Sequence, residues 1–216
     1  MKIPCATGLI VLAASLSLIA TFAPTAALAQ SSAVPAAASY ALTVYGGYRG
    51  GGSFEQVQNT DSNVDIDSGA AWSLSLDIPL DTSRRVQLFA STQSTDLAAT
   101  TTSPSVPLTV SYLHLGGTNF FEGGVGRGPY VVGGLGVTRL APGLSGLSAE
   151  FRPSMNLGLG WQLPLAAALS LRLEVRGYFT LINSQSALFC SGGCVIAVRG
   201  DGLVQGEAMV GLSYAF

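Results

Sequence analysis

Leu203-Val-Gln-Gly-Glu-Ala-Met-Val-Gly-Leu-Ser-Tyr-Ala-Phe216 is the stretch whose reading decides the fold. One parity holds Val204, Gly206, Ala208, Val210, Leu212, Tyr214 and Phe216, and the other Gln205, Glu207, Met209, Gly211, Ser213 and Ala215. In a strand these sets point to opposite faces. One face is apolar or small. The other carries an amide, a carboxylate and a hydroxyl. Two architectures take such a strand: a half-buried sandwich, or a barrel that is apolar outside and polar inside.

The opposite end of the chain chooses between them. Lys2 precedes an apolar run from Gly8 to Ala23, and small residues follow at Ala26-Ala-Leu-Ala29, then Gln30. Ala27 and Ala29 fit an A-x-A cleavage site, which predicts a secretory signal peptide over residues 1–29 with Gln30 as the first mature residue. An uncleaved anchor is the alternative, but the run is short and contains Ser and Thr, against the ~20 residues of a spanning helix. Cys5 precedes the apolar run, the wrong side for a lipid-modified cysteine, and leaves with the signal. Residues 30–39, rich in Ser and Ala, read as a flexible leader. Residues 40–216 remain as one domain.

Only 10% of residues are charged, and mean hydropathy is high. Yet no long uninterrupted apolar segment follows the predicted signal. A closed transmembrane β-barrel reconciles these facts, because alternation dilutes the hydrophobicity of every strand. The formal net charge of −2 argues for neither a nucleic acid nor an anionic surface as partner. Lys2 is the sole lysine, so every base of the mature chain is arginine. Codon usage explains this, or guanidinium forks paired inside a polar lumen.

Eight strand-like segments are expected, at about 40–49, 69–78, 85–95, 108–118, 129–140, 153–163, 168–181 and 203–216. The seventh is the most regular: Leu169, Leu171, Leu173 and Val175 alternate with Ser170, Arg172, Glu174 and Arg176. The fourth, with Val110, Tyr112 and His114, leaves its parity open. Links after the second and sixth segments are short, and those after the first, third and seventh are long. The middle link, Asn119 to Gly128, is not as short as its place in the alternation asks. Long loops on one rim and short turns on the other are the pattern of outer-membrane barrels. Aromatics fall near strand ends as interface girdles would: Tyr40, Phe120, Phe121, Tyr130, Trp161, Tyr214 and Phe216 on one rim, Tyr48, Trp72 and Phe179 on the other.

Gly46-Gly-Tyr-Arg-Gly-Gly-Gly-Ser-Phe-Glu55, Tyr112-Leu-His-Leu-Gly-Gly117, Pro129-Tyr-Val-Val-Gly-Gly-Leu-Gly136 and Cys190-Ser-Gly-Gly-Cys194 carry a resemblance. Over residues 40–216 the chain resembles small Gram-negative outer-membrane β-barrel domain proteins of the OmpA- and OmpW-like eight-stranded group, within an uncharacterised proteobacterial subfamily. The resemblance implies a single eight-stranded antiparallel up-and-down barrel in the bacterial outer membrane. It also implies outer-membrane lipid and the assembly machinery as partners. In such families a C-terminal aromatic is the assembly signal, which Phe216 matches, with Tyr214 and Leu212 on its face. It implies no activity, because fold does not fix function.

Four constellations bear on chemistry. Cys190 and Cys194 bracket Ser-Gly-Gly in an exported loop, and a disulfide is the expectation, over a redox or metal site. Asp61, Asp65 and Asp67 lack the glycine and terminal glutamate of a dedicated calcium loop and read as a solvated acidic loop. Arg172, Glu174 and Arg176 share a face with Glu207 of the neighbouring strand, and Asp77 and Arg139 are expected on the inward face with them. Charges in a narrow barrel must pair, and eight strands leave room for little beyond side chains, so a plug is expected over a selectivity lining. His114 is the sole histidine. A barrel hydrolase sets a His/Ser pair beside an orienting acid or amide, but positions 112 and 116 are Tyr and Gly, and Ser111 has the opposite parity.

The expected protein is therefore a non-enzymatic monomer without cofactor or metal, whose outer loops serve a structural or surface-interaction role. Passage of small or apolar solutes is the alternative, and a lipid-modifying enzyme a weaker one.

Overall fold

The computed structural model describes residues 39–56, 63–97, 105–121, 124–144, 146–182, 187–190, 194–199 and 202–216. The predicted signal peptide and its cleavage site, most of the leader, and Asp61 lie outside them.

Eight long strands close into a barrel: β1 (Ala41–Gly50), β4 (Gly69–Pro79), β5 (Arg84–Leu97), β6 (Val106–Phe120), β7 (Gly128–Pro142), β8 (Glu150–Pro164), β9 (Leu169–Leu181) and β12 (Gly202–Ala215). Neighbours around the ring are β1-β12-β9-β8-β7-β6-β5-β4, each pair antiparallel, which is an up-and-down meander closed on itself. The seam pairs β1 with β12 from Ala41↔Ala215 to Gly50↔Gly206. Closure gives every long strand two partners and leaves no edge.

Alternation sets the faces as the terminal stretch predicts. Along β12, Gln205, Glu207, Met209 and Ser213 are buried, whereas Val204, Val210, Leu212 and Tyr214 are exposed on the outer wall. The open parity of β6 resolves inward for Val110, Tyr112 and His114. Strand limits differ from the expected ones by at most three residues.

Short turns occupy one rim. In the β4–β5 turn the Asp81 carboxylate accepts the amides of Ser83 (2.9 Å) and Arg84 (2.8 Å), the local bond that lets aspartate replace a backbone turn. In the β8–β9 turn the amides of Leu165 and Ala166 both reach the Leu169 carbonyl. The β6–β7 link is longer for a reason: it folds beneath the barrel mouth. Val125 donates its amide to the Thr82 carbonyl (3.0 Å) and packs on the inward side chains Phe120, Tyr130 and Val132. Phe120 and Tyr130 are thus buried, not girdle residues as expected, because both stand on the inward parity of their strands.

The opposite rim carries the long connections, and there the fold adds four short strands: β2 (Ser53–Gln56), β3 (Asn63–Asp65), β10 (Ala187–Cys190) and β11 (Cys194–Arg199). They form a second sheet in the order β10-β11-β2-β3, uniting the first and last long loops. The chain after β3 crosses back over the barrel end, where Ile66 bridges to Leu97 and the Asp67 amide meets the Asp96 carbonyl.

The expected disulfide is corrected. Cys190 and Cys194 are register partners in the β10–β11 hairpin, but no cysteine pair among the described residues stands at disulfide distance. The backbone ladder of the hairpin holds the two positions opposite each other without a covalent link.

Candidate functional site: a packed charged lumen

The inward parities of the eight strands bring a dense set of charged and polar side chains together. Six of them close a ring across the lumen. Asp77 of β4 accepts Arg172 Nη1 (2.7 Å), and Arg172 Nε donates to the Tyr130 hydroxyl (3.2 Å). That hydroxyl donates to Glu174 Oε2 (2.7 Å), and Glu174 Oε1 accepts the Arg176 guanidinium. Arg176 Nη2 donates to Gln87 Oε1 (3.0 Å), and Gln87 Nε2 returns to Asp77 Oδ1 (2.9 Å). The ring joins β4, β5, β7 and β9. Its members are all at most 3 % exposed, so a water-sized sphere scarcely touches them.

A second cluster sits beside it. Arg49 of β1 pairs with Glu207 of β12 at 2.8 Å and also reaches the Ser91 hydroxyl. Glu207 further accepts the Tyr178 hydroxyl (2.7 Å) and that of Ser73 (3.3 Å). The Arg49 guanidinium carbon lies 4.9 Å from the ring centres of both Tyr112 and Tyr178, and Arg176 stands 3.7 Å over Phe89. Aromatic faces thus cover cations that carboxylates already neutralise.

Glycine makes this packing possible. A Cβ at Gly160 of β8 would overlap the Tyr130 ring, so only glycine lets that tyrosine lie flat across the lumen to reach Glu174. Toward the long-loop rim the filling turns apolar: Leu108, Val110, Leu140 and Leu203 pack with Ile66 and Leu97. Tyr112 bonds Gln205 (2.7 Å), and Gln205 in turn bonds the Gly51 carbonyl (3.2 Å).

Of the expected charge set, Asp77, Arg172, Glu174, Arg176 and Glu207 meet in the lumen. Arg139 does not. It is exposed on the outer wall, because Thr138 and Leu140 take the inward parity of β7. On β9 the register partner of Glu207 is Arg176, but the Arg176 guanidinium turns to Glu174 and Gln87, and Glu207 takes Arg49 on its other side. Arg49 and the inward tyrosines were missed from the sequence. Their signal was parity alone: Tyr45 and Arg49 share the parity of Ala41 and Thr43, and Tyr178 that of Arg176. Arg85 is also buried inside, and no ion pair among the described residues includes it.

The serine absent beside His114 along its own strand is supplied from two strands away. His114 Nε2 lies 2.9 Å from Ser154 Oγ of β8. The two meet over Gly136, their common register partner on β7, which has no side chain to separate them. Nothing among the described residues bonds the other ring nitrogen, Nδ1. No group of three or more His, Cys, Asp or Glu among the described residues is placed to hold a metal ion.

The chain's residues 20–216 match the model of the outer membrane protein beta-barrel domain. The protein belongs to that family. Its place is the bacterial outer membrane, crossed by strands. Among solved structures, Neisserial surface protein A (NspA) is similar at 12% identity and a TM-score of 0.56, covering 83% of this chain and 98% of that one. The solid-state NMR structure of AlkL in lipid bilayers is similar at 14% identity and a TM-score of 0.52, covering 83% and 90%. At such identities the likeness is one of fold. No curated protein sequence matches the chain.

Proposed function

We propose that this barrel is a non-conducting, non-enzymatic wall element of the outer membrane whose long-loop end makes its contacts. The observation that carries this reading is the closed ring through Asp77, Arg172, Tyr130, Glu174, Arg176 and Gln87. A water-filled channel leaves its lining accessible, and these side chains are buried. Each carboxylate already has a cation and further donors, so moving one member strands the rest at a cost of several kcal/mol.

The loop sheet supports the second half of the reading. It joins the first and last long loops by backbone ladders, and so offers a formed surface rather than separate strings. The His114–Ser154 contact supports structure over catalysis. Both residues are buried, His114 stacks with Tyr112 and Tyr178, and no acid or amide among the described residues orients the ring.

One observation favours the transport alternative: the outer half of the lumen is apolar, as a path for apolar solutes would be. Its lining is packed, however, with Leu108, Val110, Leu140 and Leu203 all at most 2 % exposed. Current through planar bilayers holding the purified protein separates the two. Silence fits the closed barrel, and stepwise current removes it.

We further propose that residues 1–29 are removed on export and that the barrel is a monomer. Intact mass of the outer-membrane protein, denatured and native, tests both. A mass retaining residues 1–29 contradicts the first, and a native dimer mass contradicts the second.

A further inference from the structure

Arg139 is a charged side chain that strand parity puts in the outer wall, and its surroundings are patterned. Its register partner on β6 is Ser111, whose partner on β5 is Thr92. The Ser111 and Thr92 hydroxyls lie 3.1 Å apart on the outer surface. One step nearer the long-loop rim, Thr109 partners Ser94 on the same face. Four hydroxyls and a guanidinium therefore share one stretch of wall.

Toward the other rim the same faces are apolar, with Leu88 on β5, Leu113 and Leu115 on β6, and Leu135 and Val137 on β7 all exposed. The apolar band of these strands ends at the Thr92–Ser111–Arg139 row. On β8 it does not: Phe151, the register partner of Arg139, is 66 % exposed. Arg139 thus stands at the edge of the hydrocarbon with an aromatic beside it.

The five ion pairs among the described residues do not include Arg139. The carboxylate nearest along this face, Asp96, is four residues beyond Thr92, about 13 Å along the strand. A guanidinium at a hydrocarbon boundary calls for an anion from outside the chain. The long-loop rim of such barrels faces out of the cell, and the outer leaflet there is built of phosphorylated glycolipid.

We propose that this patch seats the phosphate of an outer-leaflet glycolipid. Arg139 presents its planar fork to the phosphate oxygens. The hydroxyls of Ser111, Thr92, Thr109 and Ser94 meet the phosphate and the sugar. Phosphate of an inner-leaflet phospholipid would lie at the opposite rim, out of reach. The inference is independent of whether the lumen conducts.

The test is native mass spectrometry of the full mature protein released from detergent, titrated with bisphosphorylated lipid A, with dephosphorylated lipid A and with phosphatidylglycerol. The wild type is expected to retain bisphosphorylated lipid A, and to bind the dephosphorylated form and phosphatidylglycerol at least about tenfold more weakly. Arg139→Gln should lose about tenfold in affinity for the bisphosphorylated lipid. Arg139→Lys, which keeps the charge without the fork, should fall between. Arg84→Gln, at the other rim, should bind as wild type. Equal binding of all three lipids overturns the proposal. So does an Arg139→Gln protein that folds, as judged by its heat-modifiable gel mobility, and binds as wild type does.

Discussion

Arg49 and Glu207 face each other across the seam that closes the barrel. They are register partners on β1 and β12, the first and last long strands, and their charged groups lie 2.8 Å apart with no exposed side-chain surface. Closure and lumen filling are therefore one event. The seam brings the carboxylate to its guanidinium, and Tyr178 and Ser73 complete the carboxylate's shell.

Glu207→Ala should destabilise the folded barrel by about 3 kcal/mol, the cost of removing one partner of a buried pair. Leu212→Ala on the same strand faces lipid, which fills much of the space left, and should cost less. Urea unfolding of both variants in lipid vesicles makes the comparison. A larger loss for Leu212→Ala would mean that the inner and outer faces are reversed.

Gly160→Ala tests the ring through its steric requirement. The new methyl group collides with the Tyr130 ring, and overpacking of this kind costs about 2 kcal/mol. Tyr130→Leu removes both the collision and the two hydrogen bonds of the hydroxyl. The double variant should therefore be no less stable than Tyr130→Leu alone. If Gly160→Ala costs as much in the Tyr130→Leu background as in the wild type, the contact is not what makes position 160 a glycine.

The terminal aromatic is proposed as the assembly signal. Phe216 donates its amide to the Tyr40 carbonyl (2.9 Å), and the two rings stack at 6.1 Å, so this residue also fastens the seam. Deleting Phe216 should lower the amount of barrel in the outer membrane and leave protein in the periplasm. Fractionation followed by immunoblotting reads the result, and an unchanged outer-membrane yield rules out the signal role.

Asp81 gives the short-turn rim an acid response. The Ser83 amide, then the Arg84 guanidinium, hold its carboxyl down at about 2 from 3.8. Because the folded value is depressed, the turn's contribution is present above 3.8 and is lost as pH falls toward 2. NMR titration of the Asp81 carboxyl carbon should show a midpoint near 2 in the wild type. A midpoint at the ordinary value of about 4 would show that the turn bonds do not form.

Much of the barrel was legible because twofold alternation is strong wherever Leu, Val and polar residues interleave, as in β9 and β12. Parity failed where glycines interrupt that signal. Gly133, Gly134 and Gly136 leave the centre of β7 without a clear apolar face, and Arg139 was assigned to the wrong side. Inward aromatics were misread for a related reason: Phe120 and Tyr130 stand at strand ends, where a girdle residue and a lumen residue have the same composition. Pairing across strands was harder still. Glu207 faces an arginine on each side, and only three-dimensional packing selects Arg49. His114 and Ser154 meet through a register that spans β7. The loop sheet was not foreseen, because its strands pair segments more than a hundred residues apart.

The most direct test of the closed lumen is single-channel recording on purified protein in planar bilayers, wild type beside an Asp77→Ala/Arg172→Ala variant. The account predicts no stepwise conductance from the wild type. It predicts discrete steps from the variant, because two ring members that span β4 and β9 are gone. Regular stepwise conductance from the wild type would contradict it.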